Sequence, residues 1–215
     1  LRRNGDKLGS LVEGLRDRGH EAYGYSCDAR KEEDIVERFA AIEHDIGDIE
    51  VVVFNIGANV PLGILETDSR KFFKIWEMAC FAGFLTGREA ARYMTQRKRG
   101  TILFTGATAS MRGGAGYAAF AAAKAGLRAV AQAAARELGP KNIHVAHLVI
   151  DSGVDTAWVR ERIRQREGEA ALELQALRAV IKLLREVERK LEAFAASNES
   201  VKLLRTIPGV GRCTA

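Results

Sequence analysis

The sequence predicts an α/β protein, a doubly wound parallel sheet followed by a long C-terminal helix. The first observation is that, over the first 150 residues, short β-branched or aromatic runs alternate with segments whose apolar residues recur at helical spacing. The second is a change of pattern near residue 168, since residues 169–196 contain neither glycine nor proline. Apolar residues there follow one another at intervals of three and four, which indicates one long amphipathic helix.

The first four predicted elements are a helix, a strand, a second helix and a second strand, over residues 6–18, 21–28, 31–46 and 50–55. Both helices carry apolar residues at intervals of three and four along one face. Tyr23 and Tyr25 favour the first strand. The second strand is a continuous run that contains three valines, which is typical of a strand buried on both faces.

The next four predicted elements are a long helix, a strand, an alanine-rich helix and a last strand, over residues 69–97, 101–105, 115–138 and 143–150. Gly139 and Pro140 end the alanine-rich helix. Strands that alternate with helices in this way indicate parallel strands joined by crossover helices.

The composition is that of an ordinary globular protein. Of the 215 residues 47% are apolar and 28% are charged, which excludes disordered and collagen-like classes. No stretch approaches the ~18 apolar residues of a membrane span and no apolar leader opens the sequence, so we expect a cytoplasmic protein. The three cysteines have neither disulfide nor metal spacing, and His144 and His147 point to opposite faces of one strand. We therefore expect reduced thiols and no metal site.

Three predicted strands end in short polar or glycine-containing motifs. These are residues 27–28 (Cys-Asp), 55–58 (Asn-Ile-Gly-Ala) and 105–107 (Thr-Gly-Ala), and Lys124 follows in the alanine-rich helix. In this order the motifs of residues 1–165 resemble the short-chain dehydrogenase/reductase family. The resemblance implies a Rossmann-like domain over those residues and hydride transfer between NAD(P) and a small carbonyl or alcohol.

The resemblance also implies contacts with NADP or NAD, with NADP favoured, by Arg2, Arg3, Asp28, Asn55, Gly57, Ala58, Lys124 and Thr156. Arg2 or Arg3 would face an adenosine 2′-phosphate, and Asp28 would accept a hydrogen bond from the adenine amino group. Lys124 would contact the nicotinamide ribose hydroxyls. Each position also has a purely structural interpretation: a solvated basic end, a strand-ending carboxylate, a glycine that permits a turn, or a surface lysine.

Three positions depart from the catalytic pattern of that family. Phe120 lies where the family has its tyrosine, four residues and one helical turn before Lys124. Ala107 and Cys80 lie at the positions of the catalytic serine and asparagine. Because a phenyl ring has no proton to exchange, general acid–base catalysis is lost at Phe120, and we expect little or no activity.

An alternative catalytic set consists of Tyr117, Ser110 and Lys124. Tyr117 precedes Lys124 by seven residues, so it would reach the same site only after a local shift of the glycine-rich segment 113–116. Ser110 is a candidate to replace the missing serine hydroxyl. The sequence leaves this alternative open.

The family's first strand, glycine-rich turn and helix would precede the segment that Leu1–Arg3 matches. No later glycine run in the sequence has the strand–turn–helix context of a pyrophosphate-binding turn. We therefore expect the central strand and the phosphate-binding turn to be missing from this sequence, and cofactor affinity to be weak.

The resemblance implies a homo-oligomer as well. In the family, the helices that correspond to residues 69–97 and 115–138 build the subunit interface. Gly83, Gly87 and Ala90 give the first of these helices small residues, which let another helix approach closely. Packing of the helix on its own sheet is an equally good interpretation.

Residues 166–215 form a separate helical tail in our interpretation. Residues 203–211 and 214–215 resemble the C-terminal part of insertion-sequence transposases, and residues 207–211 (Ile-Pro-Gly-Val-Gly) resemble a DNA-binding hairpin. From residue 160 onward 12 lysines and arginines oppose 8 glutamates, which is compatible with weak, salt-sensitive contact with nucleic acid. An ordinary loop after a solvated helix is the alternative.

The sequence thus favours an NAD(P)-dependent oxidoreductase of short-chain dehydrogenase type that is inactive or impaired in this form. One alternative is a non-catalytic nucleotide-binding or dimerisation remnant. The other is a transposase-derived fragment with weak DNA affinity.

Overall fold

The structure, a computed structural model, describes residues 1–151 and 159–161. The chain divides into two compact units, Leu1–Asp151 and Ser152–Ala215, and the elements below lie in the first. Several predictions concern positions outside the described residues, namely Thr156, the domain boundary at 165/166, the helix over 169–196 and the transposase-like end.

The β-branched and apolar runs of the sequence build a three-stranded parallel sheet. Strand β1 spans Val51–Phe54, β2 spans Thr101–Ala107 and β3 spans His144–Ile150, in the spatial order β1-β2-β3. All seven residues of β2 pair with residues of β3. Every second residue of β2 is buried, because that side of the sheet lies under helices. The predicted parallel α/β fold is confirmed, although β2 continues two residues beyond its predicted end.

Within the described residues the α-helices are α1 Gly9–Arg16, α2 Glu32–Asp45, α3 Ser69–Trp76, α4 Ala82–Arg97 and α5 Ala118–Leu138. A π-helical turn, Glu77–Phe81, joins α3 to α4, so the long helix predicted over 69–97 contains one wider turn. Asp68 begins α3, since its carboxylate accepts from the backbone N–H of Lys71 at 2.7 Å. Helix α5 begins later than predicted, after Gly116, whose φ of +77° lies outside the helical region.

Helix α4 approaches the sheet closely because two glycines face its neighbours. A Cβ atom on Gly83 would lie 2.4 Å from Cδ1 of Leu127, and one on Gly87 would lie 2.7 Å from the ring of Phe104. Both distances are far inside ordinary contact, so the backbone approach depends on glycine. At these two positions the small residues serve packing within one chain.

The two faces of the sheet differ. Ile35 and Phe39 of α2 join Phe54 and Phe104 in one buried cluster, which lies on the side covered by helices. The other side is open within the described part of the chain, where Val53 is 57% exposed. Leu148 and Ile150 of β3 lie on this open side as well and are exposed.

The N-terminal segment is less regular than predicted. The strand expected over residues 21–28 was wrong as a continuous element: a single parallel bridge joins Arg2 to Ser26. The helix expected over 6–18 is the shorter α1, preceded by a 3₁₀ turn, and none of the residues of α1 is buried. A strand needs a paired neighbour to become regular, and here the neighbour is a few residues long.

Among the described residues no helix is long and apolar enough to cross a membrane. In the same ranges, 1–151 and 159–161, no three His, Cys, Asp or Glu side chains converge as a metal site would require. Cys27 and Cys80 are buried free thiols, and burial raises the pKa of each.

Candidate cofactor and active site

Helix α5 places Lys124 beneath the carboxyl ends of two strands. The side chain is buried, and its Nζ donates to the carbonyl oxygens of Ile56 at 3.0 Å and Thr105 at 2.8 Å. An ammonium group has three N–H donors, so one remains for a ligand. Burial lowers the pKa of Lys124 to about 8. The surface-lysine interpretation of this position is therefore wrong.

Phe120 lies one helical turn before Lys124 and is 7% exposed. Both side chains border Gly57: a Cβ atom there would lie 3.7 Å from Nζ of Lys124 and 3.9 Å from Cε2 of Phe120. Phe120 belongs to an apolar cluster with Ile75, Ala79, Cys80, Ala119 and Ala123. The position beside the lysine therefore holds a hydrocarbon ring instead of a group that can move a proton.

The structure does not join Tyr117, Ser110 and Lys124 by hydrogen bonds. The hydroxyl of Ser110 is buried and accepts from the backbone N–H of Ala107 at 3.1 Å, while Lys124 donates to carbonyls of other residues. The ring of Tyr117 packs against the apolar cluster that contains Phe120. The hydroxyl of Thr108 donates to the carboxylate of Asp151. Ser110, Tyr117 and Lys124 therefore each contact different groups and are not linked to one another by hydrogen bonds.

Five of the predicted cofactor contacts line one cavity of about 1160 Å³, namely Arg2, Arg3, Asp28, Asn55 and Gly57. They come from chain segments far apart in the sequence, because the carboxyl ends of parallel strands meet at one edge of a sheet. Ala58 packs against the cluster of Phe120. The fold therefore brings together five residues for which the sequence predicted a common site.

Asp28 is held by an arginine that the sequence analysis missed. Nε of Arg30 donates to Oδ1 of Asp28 at 2.9 Å, and Nη2 donates to Oδ2 at 2.6 Å. The side-chain hydrogen bonds from Arg30 keep the pKa of Asp28 below its ordinary value. Nη1 of Arg30 also lies 3.4 Å from the carboxylate of Glu77. Since both oxygens of Asp28 already accept, an adenine amino group would have to share them.

The residues around the cavity fit the nicotinamide ribose of a dinucleotide better than they fit its phosphates. Gly57 allows a close backbone approach, and Lys124 has one free N–H for a ribose hydroxyl. For the phosphates, the described lining offers Arg2 and Arg3 but no glycine-rich turn at a helix N-terminus. The first turn of α2 nearby carries three acidic residues, which repel an anion.

A parallel sheet whose strands are joined by crossover helices belongs to the Rossmann-like class of α/β fold, and here a buried lysine lies beneath the strand ends. Residues 1–167 match the short chain dehydrogenase family, and the chain belongs to that family. The family expected from the sequence is thereby confirmed.

Solved structures of dehydrogenases are similar to this chain. A short-chain dehydrogenase from Rhodopseudomonas palustris is 54% identical, with 76% of each chain covered and a TM-score of 0.69. A short-chain dehydrogenase from Streptomyces avermitilis is 26% identical, with 71% of this chain and 54% of that chain covered and a TM-score of 0.64.

Two curated relatives of this chain are reductases by name. The 3-oxoacyl-[acyl-carrier-protein] reductase MabA of Mycobacterium tuberculosis is 31% identical over 146 residues, which is 66% of this chain. The chain spans 59% of the length of that relative. Carbonyl reductase family member 4 of Danio rerio is 29% identical over 185 residues, 82% of this chain and 77% of the relative.

Proposed function

We propose that the chain carries the NAD(P) site of a short-chain oxidoreductase whose proton relay is lost, so that hydride transfer is impaired in this form. The observation that carries the proposal is the pair Lys124 and Phe120. The lysine is buried and oriented by two carbonyls, whereas its neighbour one turn earlier is a phenyl ring.

A bound nicotinamide would supply the hydride. The residues of this chain would hold the cofactor: Lys124 donates to the ribose, Gly57 admits it, and Arg2 and Arg3 give the cavity a positive side. Asp28, fixed by Arg30, would face the adenine. The chain has no group at Phe120 to give a proton to a carbonyl oxygen, and this step limits the reaction.

We propose a small carbonyl or alcohol as the substrate class. The names of the mycobacterial and zebrafish relatives, an oxoacyl reductase and a carbonyl reductase, support this class. The two arginines support NADP over NAD, because a guanidinium fork suits the 2′-phosphate.

The first experiment separates binding from chemistry. We expect NADPH to bind with a Kd no tighter than about 1 mM in a nicotinamide fluorescence titration, since the described lining of the cavity contains no glycine-rich turn for the phosphates. NADH should bind more weakly still, and Arg3→Gln should remove the difference. Micromolar binding of NADPH would show that other groups hold the phosphates.

The second experiment restores the missing groups. Phe120→Tyr combined with Ala107→Ser should give no carbonyl reduction in this chain, because the described lining of the cavity offers no glycine-rich turn for the phosphates and the cofactor binds weakly. Fusing a family-type strand–turn–helix ahead of Leu1 should produce turnover in the double variant, about 10²–10⁴-fold above the same fusion with Phe120 kept. Turnover of the unmodified chain that disappears in Tyr117→Phe would instead support catalysis by Tyr117, Ser110 and Lys124.

We also propose that the protein forms a homo-oligomer through the helices predicted at 69–97 and 115–138. An aromatic surface on α3 and α4 supports this, since Phe73 is 61% exposed and Phe84 is 41% exposed. Sedimentation should show a dimer or tetramer that Phe73→Ser dissociates. The matched control, Leu11→Ser on α1, should leave the assembly unchanged.

A further inference from the structure

A histidine of strand β3 lies beneath helix α5. In the register of the sheet His147 is the partner of Phe104, which is 1% exposed on the side covered by helices. Because paired residues of neighbouring parallel strands share a face, the imidazole of His147 points to that side as well. A Cβ atom on Gly106 would lie 2.2 Å from Cε1 and 2.4 Å from Nε2 of the ring. The ring therefore lies directly against the backbone of β2, with no space for a water molecule between them.

One ring nitrogen of His147 has no hydrogen-bond partner. Nε2 is buried and unpaired among the described residues, whereas the ring makes a hydrogen bond with the backbone of its own residue. A neutral imidazole carries one N–H, and Nδ1 uses it in that bond, which leaves a lone pair on Nε2. Protonation would place an N–H on Nε2 with no acceptor to receive it, which is costly for a buried group.

The charged groups that face the ring are cations. Burial lowers the pKa of His147 most, and the charges of Arg128 and Lys124 on α5 lower it further. The hydrogen bond with its own backbone acts in the opposite direction. Strand β2 faces the ring with Gly106 and Phe104, which carry no charge. No carboxylate of the described residues is among these groups, so a proton on the ring would add a third positive charge to two existing ones.

We propose that His147 is an acid-sensitive switch between β3 and α5, in which the neutral ring keeps the two elements packed and the protonated ring separates them. Lys124 is held by the carbonyl oxygens of Ile56 and Thr105, so a displacement of α5 from β3 draws its Nζ away from both. Acidification therefore dismantles the lysine site while the rest of the fold remains. The proposal stands on the geometry of this contact and needs neither a bound cofactor nor catalysis.

The direction of the pH dependence follows from the two states of the ring. Above the ordinary histidine pKa of about 6.5 the ring is neutral whether the contact is closed or open. In the closed contact the pKa of His147 is lower than this value. As the pH falls below about 6.5, the open state binds a proton that the closed state lacks, and the contact weakens until the pH passes the native pKa.

Hydrogen exchange of backbone amides, measured residue by residue by NMR on the full chain, tests the switch. We expect residues 120–131 of α5 and 145–150 of β3 to lose about tenfold or more in protection between pH 7.5 and pH 5, after correction for the intrinsic pH dependence of exchange. In His147→Met, which cannot take up this proton, protection in both elements should stay constant. The matched control, His144→Gln, changes an exposed histidine on the other face of β3 and should behave as the unmodified protein.

A titration of the unmodified chain keeps the proposal testable if His147→Met does not fold. With isotope-labelled histidine, the imidazole signals of His147 should titrate with a midpoint below about 6.5, together with the loss of protection. A midpoint at or above this value, unchanged protection at pH 5, or an equal loss in folded His147→Met would overturn the proposal. An equal loss of protection in β1 would overturn it as well, because acid would then unfold the whole sheet instead of opening one contact.

Discussion

Two regions of the molecule have similar sequence patterns and different structures. Helix α2 and helix α1 both carry apolar residues at intervals of three and four, yet α2 buries Ile35 and Phe39 whereas α1 buries no residue. Helix α2 contributes to the cluster that covers one face of the sheet. Helix α1 lies between Arg2 and Ser26, which are joined by a single parallel β-bridge. An amphipathic pattern is therefore sufficient for a helix to form, but its apolar side chains become buried only where a sheet is available for the helix to pack on.

The largest expected effect comes from creating a cavity in the core that α2 helps to cover. Phe104→Ala should lower the free energy of unfolding by about 3–5 kcal/mol, because this side chain is 1% exposed. Urea denaturation measures the loss. The matched substitution in the other region, Leu11→Ala, should change stability by less than ~0.5 kcal/mol, since Leu11 is 57% exposed. Similar losses for both variants would contradict the distinction between the two regions.

A buried charge in the packed region gives a pH dependence. Burial lowers the pKa of Lys124 to about 8. Between that pH and the pKa of about 10.4 in the unfolded chain, the unfolded state binds a proton that the native state lacks. Stability therefore rises with pH across this window, and the penalty for a buried ammonium is present in full below it.

Comparison with Lys124→Met isolates this effect. The stability of the unmodified protein, measured relative to the variant by urea denaturation, should increase by up to about 3 kcal/mol from pH 8 to pH 10.4. A difference between the two proteins that stays constant with pH would show that Lys124 titrates normally.

Substitution of a glycine by alanine should have opposite effects on stability in the packed region and in α1. Gly83→Ala should cost about 1–3 kcal/mol, because its Cβ would lie 2.4 Å from Leu127. Gly14→Ala in α1 meets no atom within 4 Å, and it should stabilise the protein by about 0.5–1 kcal/mol through helix propensity. Thermal unfolding distinguishes the two signs. A loss of stability in both variants would place α1 in a tighter environment than the structure gives it.

The smallest expected effect concerns the ion pair of Asp28 and Arg30, which lies just before α2. Arg30→Met should cost about 1 kcal/mol at pH 7, since it removes two hydrogen bonds to the partly buried Asp28. The pKa of Asp28 is lowered in the native state, so the contribution is complete above the unfolded value of about 3.9 and is lost as pH falls through the native value. An unchanged acid-unfolding curve would contradict this assignment.

Local pattern was sufficient for most of the fold. The valine run of β1 and the alanine-rich α5 were located because each specifies its own secondary structure. The residues that line the cavity could be grouped from the sequence because strand ends converge, which a topology predicts without coordinates. The irregular pairing at Ser26 and the contact of Arg30 with Asp28 depend on which segments meet in space. Similarly, Gly83 and Gly87 pack on their own sheet, an outcome that the sequence could not separate from subunit contact.

The π-helical turn between α3 and α4 sets the rotation of α3 about the helix axis relative to α4. An aromatic row runs along these helices, with ring centroids 5.9 Å apart for Phe73 and Trp76, 6.0 Å for Trp76 and Phe81, and 6.4 Å for Phe81 and Phe84. In a regular α-helix, residues five apart do not share a face, so the pair Trp76–Phe81 owes its alignment to the wider turn. Deleting one residue of Glu77–Phe81 would rotate everything before it by about 100° relative to α4. The extra residue in the wider turn therefore places the aromatic residues of α3 and α4 on one face. A helical wheel drawn across the whole segment at a regular 100° per residue would place them on different faces.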